Sequence, residues 1–547
     1  MPVQARANWP KLPALPIRKP LRTATMPPSP LSSETPVPHG IAPAARFNLA
    51  AHCLAHAARA PGKTALILVG ADGAERWTYG ALDEKVRRLA AGFAGLGLEP
   101  GARILIRAGN DAGFVIAFLA AIAAGYVAQP TSSQLTLEEV RALADDSGAA
   151  AVVLGQDHLG ERAGLAHLRI IDPDEMAALA AAPPLAGFAP TRADDPAYLV
   201  YTSGTTSRPK GVLHAQRAIL GRRPMYADWL GLTEADVLLH AGAVNWTYTL
   251  GVGLTDPWAQ GATAVLYNGP RDPAVWPRLI EAHGATIFAA VPTVFRQVLK
   301  ACDIARFDLS RLRHGVAAGE ALAPRLIEDW HAATGTWIYE SLGMSEVSTF
   351  ISCRPGAPIR PGSPGRPQRG RRVSVLPVEG GTDPLPAGET GLLAVHRSDP
   401  GLMLGYWRRP EEEEAVMRGD WFVGGDLAAF DADGWLWFHG RNDDVMNALG
   451  YRVSPLEVEK ALADCPGVLE AAVAETKVRA DVSVITAFVV PRPGAALIEA
   501  AVLAHCGQHL AAYKCPRRVV LVDQIERTAN GKVSRKAMAR RFAAAAD

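Results

Sequence analysis

Only six cysteines occur in 547 residues, and no two of them form a C-x-x-C pair. That excludes a disulfide scaffold or a cysteine zinc site, so Cys53, Cys302, Cys353, Cys465, Cys506 and Cys515 are expected as small buried hydrophobes in a reducing cytoplasm. Net charge is nearly absent: 56 Lys and Arg against 55 Asp and Glu leave +1, with no basic excess for a general nucleic-acid surface. No apolar run reaches a comfortable membrane span. The longest, AGFVIAFLAAIAAGYVA at 112–128, is interrupted by Gly125 and closed by Gln129-Pro130, which predicts a buried helix running into a buried strand. Acids are scarce in residues 1–40, where Glu34 stands alone among ten prolines and five Lys or Arg. Proline at that density prevents a helix and no signal-peptide core follows, so residues 1–45 are expected as a disordered leader, with Met26 a second candidate start.

Hydrophobic residues make up 49% of the chain, which is too long for one ordinary core. From residue 46, helical stretches alternate with short apolar runs: TALILVG (64–70), ARILIR (102–107), AAVVLG (150–155), AYLVYTS (197–203), ATAVLY (262–267) and ATIFAAV (285–291). Apolar strands set between helices imply an α/β fold with mostly parallel sheets buried on both faces. LGLEPG at 96–101 has the wrong glycine spacing for a dinucleotide fingerprint and is expected as a turn. RRPEEEEAV at 408–416 predicts a helix that starts at Pro410, with carboxylates favouring its first turn. Aspartate-glycine turns between aromatic strands predict hairpins over 419–441. A large domain is expected over 46–441 and a small α+β domain over 442–547.

The stretch YTSGTTSRPKG at 201–211 packs hydroxyls, two glycines and a lysine behind an apolar strand, as a phosphate loop does. Pro209 stands where a Walker A loop would need its second glycine. Gly204 and Gly211 permit close approach of anionic oxygens, Thr202, Ser203, Thr205 and Thr206 add donors, and Lys210 adds a point charge.

This spacing resembles the phosphate loop of the adenylate-forming enzymes: acyl- and aryl-CoA synthetases, peptide-synthetase adenylation domains and luciferase. Further stretches fit that family in order: YESLGMSE (339–346), GYW (405–407), GGDLAAFDADGWLWFHGR (424–441), RNDDVMNALGYRVSPLEVE (441–459) and RTANGK (527–532). The resemblance covers about residues 46–540. It implies a large domain of stacked α/β sheets with a small barrel-like region, followed by a small mobile lid. It also implies a two-step ligase in which a carboxylic acid attacks ATP to give an acyl-adenylate and coenzyme A then displaces AMP.

By that resemblance Glu346 holds Mg²⁺ on the phosphates and Ser345 donates to them. Asp426 accepts the ribose hydroxyls with Arg441 beside it, Leu342 packs on adenine, and Lys532 reaches the α-phosphate and carboxylate oxygens. Asp443 is the hinge, Gly450 lines the pantetheine tunnel and Arg452 adjoins it. Trp246, Tyr248, Ala318, Gly343 and Thr349 fall at acid-pocket positions. The absence at Gly343 of the tryptophan found in acetate-specific relatives implies a deeper pocket. WTYTLGVGLTDP at 246–257 is similar to benzoate–CoA ligases, which implies a flat aromatic or compact branched acid; Thr349 departs from the histidine expected there. For Trp246 and Tyr248 the residues alone leave core aromatic and substrate wall both open. Two alternatives share the adenylation motifs, an enzyme loading a carrier protein in trans and a non-catalytic nucleotide-binding regulator. The expected partners are the small acid, ATP and CoA, without nucleic acid or membrane, for a monomer or homodimer.

Overall fold

The computed structural model describes residues 42, 44–202, 209–270, 272–442, 446–448, 451–479, 482–510, 514–527 and 533–546. Two large sheets dominate them. A seven-stranded sheet runs, edge to edge, through Gly405–Tyr406, Lys210–Ala215, Pro196–Thr202, Val127–Thr131, Arg103–Arg107, Ala151–Leu154 and Arg169–Ile171. Its last five strands are parallel, while Lys210–Ala215 and Gly405–Tyr406 are added antiparallel. A nine-stranded sheet has five parallel pairings at its centre, joining Ile338–Met344, His314–Ala318, Ile287–Ala290, Val237–His240, Thr263–Tyr267 and Thr64–Gly70. Ser348–Ser352 and Arg366–Pro367 extend one edge antiparallel, and Gly73–Thr78 the other. All six apolar runs expected as strands are strands, each with buried residues facing the core.

The helix Ala112–Ala123 shows how sequence becomes packing. Asp111 caps it by accepting from Phe114 N at 2.8 Å, and ten consecutive residues from Phe114 to Ala123 are buried. A helix apolar on every side has no solvent face to offer, so it lies in the core that also takes Leu66 and Leu266 from one sheet and Ile104 and Ala128 from the other. Tyr126 and the strand Val127–Thr131 follow, as the broken apolar run predicts. Among the described residues no helix is long and apolar enough to cross a membrane. Helix boundaries follow local chemistry elsewhere too. Leu137–Ser147 begins with a reciprocal Thr136–Glu139 capping box and ends at Gly148 in the left-handed region, φ +61°. Pro410–Val416 begins with Pro410 and three glutamates in its first turn.

Residues 373–441 form the smaller antiparallel sheet, in which Trp421–Phe430 pairs with Leu436–Arg441 as the expected hairpin. One apolar cluster joins all three sheets, combining Val212, Phe350 and Ile351 with Leu393, Phe422 and Leu436. Beyond residue 441 the described residues form a two-stranded pairing, a three-stranded sheet and three helices, two of them packed on a core around Val458, Leu462, Val489 and Val502 and the last, Arg535–Ala546, on a second cluster through Met538 and Phe488. Four of the six cysteines, Cys53, Cys353, Cys465 and Cys506, are buried, and Cys302 and Cys515 are half-buried.

Phe118 is 1% exposed between the sheets, with Tyr198 6.0 Å away, ring to ring. Phe118→Ala is expected to cost about 3–5 kcal/mol through the cavity it opens, read as a lower urea midpoint.

Candidate active site

The junction of the three sheets is where the motifs meet. Strands Pro196–Thr202 and Lys210–Ala215 form a hairpin in which Thr202 faces Lys210. A strand returning antiparallel, rather than a helix, follows the hydroxyl-rich loop, so the loop differs from a Walker A loop in topology as well as in glycine spacing. Ser203, Gly204, Thr205 and Thr206 lie outside the described residues. Lys210 Nζ forms an ion pair with Glu412 Oε2 at 2.5 Å and stands 5.1 Å over the Tyr406 ring. The glutamates of 411–413 therefore do more than favour a helix dipole, since one of them neutralises the phosphate-loop lysine.

Met344 pairs with Ser348, so Ser345, Glu346 and Val347 form a three-residue hairpin turn. Three contacts tie the turn to its neighbours. Tyr406 Oη donates to Glu346 Oε1 at 2.7 Å, Met403 N donates to Glu346 O at 2.8 Å, and His214 Nε2 donates to Ser345 O at 2.9 Å. Burial pushes His214 down to about 4, so the ring is neutral, and because a carbonyl can only accept, its proton sits on Nε2. Burial and the neighbouring Glu346 carboxylate push the Tyr406 phenol far above its usual range, which keeps it a donor. Neither Tyr406 nor His214 was singled out from sequence, although Tyr406 is the centre of the GYW motif.

Asp426, 7% exposed, stands opposite Arg441 in the small sheet, with Oδ1 3.2 Å from Arg441 Nη1. The same guanidinium nitrogen donates to Gly424 O at 2.8 Å. Gly425 is held at φ +84°, and a Cβ on it would come within 3.2 Å of Arg441 Nη2. Leu342 is half-buried against the cluster between the sheets. Arg452 is described in backbone only, on a strand where it pairs with Asn447; Asp443, Gly450 and Lys532 lie outside the described residues. Lys514, which had no assigned role, pairs with Glu457.

The acid-pocket positions cluster at the C-terminal ends of adjacent parallel strands, where ligands bind in open α/β sheets. Ala318 pairs with Ser341, and Gly343 with Thr349 on the next strand. Tyr248 Oη donates to Val316 O at 3.2 Å, and the ring packs on Trp229 and edge-on to His240 at 4.5 Å between centroids. Tyr248 is thus partly a core residue, while Trp246 is half-buried. Two buried polar atoms here have no partner among the described residues, Thr349 Oγ1 and His240 Nε2. Gly242 N donates to His240 Nδ1 at 3.0 Å, which leaves the imidazole proton on Nε2.

At Gly343 the neighbouring strand comes close: a Cβ there would lie 2.4 Å from Ser348 O and 2.5 Å from Thr349 Cα.

Two family models match the chain: AMP-binding enzyme over residues 53–407 and AMP-binding enzyme C-terminal domain over 457–532. Benzoate–CoA ligase of Thauera aromatica is 35% identical, over 87% of this chain and 92% of the relative. Among solved structures, the anthranilate CoA ligase AuaEII in complex with anthranoyl-AMP superposes with a TM-score of 0.82 at 29% identity, covering 91% of this chain and 98% of that one. ATP-bound MatB from Rhodopseudomonas palustris gives 0.84 at 27% identity, over 92% and 100%.

Glu340, on the strand that leads to Leu342 and Gly343, is buried with Leu322 N donating to it at 3.0 Å, and burial raises it from 4.5 to about 8. The folded chain therefore holds a proton that the unfolded chain has already lost. Stability should fall as pH rises from about 4.5 to about 8 and level off above. Glu340→Gln is expected to remove that slope, so its melting temperature gains on the parent's across this window. Gly343→Ala is expected to cost about 1–3 kcal/mol by overpacking, read in the same melts.

Proposed function

Since the chain belongs to the AMP-binding enzyme family, we infer that it is an ATP-dependent acid–CoA ligase that works through an acyl-adenylate, with a small aromatic carboxylate as its acid. The observation that carries the assignment is the sharing of one phenol. Tyr406 bonds Glu346 through its hydroxyl and receives Lys210 on its ring face, which sets a carboxylate and a phosphate-loop cation on opposite approaches to the same spot.

In the first step a carboxylate oxygen bonds to the α-phosphorus of ATP and the bond to the β-phosphate oxygen breaks, releasing pyrophosphate. Two anions must approach each other, so the protein's task is neutralisation and alignment. Lys210 exchanges its Glu412 partner for phosphate oxygens. Asp426 holds the ribose hydroxyls, its position fixed by the ladder pairing with Arg441. Leu342 covers the adenine, with Thr202, Ser203, Gly204, Thr205 and Thr206 along the triphosphate. The Glu346 carboxylate on the turn is a hard oxygen ligand suited to Mg²⁺, and the Ser345 hydroxyl beside it would donate to the phosphates. Among the described residues no group of three or more His, Cys, Asp or Glu converges as a metal cage, which suits an ion held mainly by substrate phosphates and water. When bound it neutralises charge on the phosphates. Lys532 reaches the reacting oxygens in this step. In the second step the CoA thiolate attacks the acyl carbon and AMP leaves, with Asp443 as hinge and Gly450 and Arg452 at the thiol entrance.

The aromatic acid is supported by the relatives, whose names specify benzoate and anthranilate, and by the packing of Tyr248 and Ala318 in one apolar cluster. Cysteines that are buried or half-buried, with no C-x-x-C pair, suit a reducing cytoplasm.

AMP release from ATP is expected with benzoate-sized acids and to require CoA; release without CoA but with a carrier protein would replace the acceptor. Lys532→Ala is expected to lower adenylation by about 10²–10³ while sparing thioester formation from supplied acyl-AMP.

A further inference from the structure

A three-residue hairpin turn commonly needs a left-handed residue at its exit, where glycine is the usual choice. Here that residue is Ser348, at φ +84°. Its hydroxyl has two partners, accepting from Arg222 Nη1 and donating to Met225 Sδ at 3.5 Å. Arg222 is 6% exposed, and its other two donors, Nε and Nη2, form a fork on Asp256, each at 2.7 Å. Asp256 is 0% exposed and opens the helix Asp256–Gln260, directly after the π-helical turn Thr249–Thr255. Room for the guanidinium comes from Gly251, where a Cβ would lie 2.0 Å from Arg222 Nη2.

We propose that Arg222 is a positioning residue for adenylation, clamping Ser348 in the left-handed conformation that sets the Ser345–Glu346 turn. The proposal rests on the role given above to Glu346. A buried guanidinium needs acceptors for its remaining N–H groups, and here the acceptor is the hydroxyl of the left-handed residue that closes the turn. Asp256 serves as the fixed counter-charge, and its bidentate grip orients the free edge of the guanidinium toward the turn. If the clamp is lost, Ser348 relaxes toward negative φ, and Ser345 and Glu346 move away from Tyr406 and His214.

The test uses the full chain. Ser348→Ala removes the hydroxyl, and with it the acceptor for Arg222 and the donor to Met225 Sδ. Arg222→Lys keeps a charge opposite Asp256, so the core remains paired, but loses the fork. Binding of Mg·ATP by calorimetry, the KM for ATP and for the acid, and melting temperature are measured for each. Both variants are expected to weaken Mg·ATP binding and raise the ATP KM by roughly tenfold, with the acid KM within about twofold. Ser348→Gly reaches φ +84° without a clamp, so combining it with Arg222→Lys is expected to restore ATP binding to near the parental value. Equal changes in both KM values, or no rescue by Ser348→Gly in a variant that melts like Arg222→Lys, would overturn the clamp. Glu346→Gln run in parallel separates the two readings: unchanged Mg·ATP binding there overturns the assignment of Glu346 and the clamp with it.

Discussion

The hydrogen bond from the Tyr406 hydroxyl to Glu346 joins the two large sheets at the junction where the motif residues Lys210, Ser345 and Glu346 meet. Tyr406 belongs to an edge strand of the seven-stranded sheet, and Glu346 to the turn by which the nine-stranded sheet reverses direction. A carboxylate on a short turn has many rotamers, and the phenol, itself buried and held well above its usual acidity, selects one. The same ring receives Lys210, so one side chain contacts both the carboxylate and the lysine. His214 grips the turn's main chain from the other side, and its neutrality is a consequence of the burial that the sheet junction imposes.

That arrangement forces a backbone that ordinary residues avoid. The turn is too short to close without a left-handed exit, and Ser348 supplies it at a cost of order 1–3 kcal/mol. The same geometry brings Ser348 O to the space beside residue 343, which is why that position carries no side chain. Gly343 and Ser348 are thus two sides of one constraint. The Arg222–Asp256 pair, buried in the adjacent core, holds the constraint in place.

Much of the architecture was legible before any coordinates. All six apolar runs are strands, the 112–128 run is a helix leading into a strand, Pro410 opens its helix, and 419–441 is a hairpin. These follow from periodicity, caps and turn chemistry within short windows. The site was legible as a set of motifs, through likeness to a family, but not as a geometry. Glu412 read as a helix-dipole residue, because nothing local reveals that it faces a lysine 202 positions earlier in the chain. Nothing local to Gly343 shows that Ser348 and Thr349 of the next strand approach it so closely.

From sequence alone came the α/β class, the phosphate loop without Walker spacing, and the family whose motifs run from Thr202 to Lys532, because each is written in neighbouring residues or fixed spacings. The tertiary structure decided which polar groups meet. Arg222 contacts Ser348 across 126 positions and Asp256 across 34, and Tyr406 reaches Glu346 across 60. Such pairings depend on which strand ends the sheet order brings side by side, and sheet order is set by the packing of the whole core rather than by any local stretch.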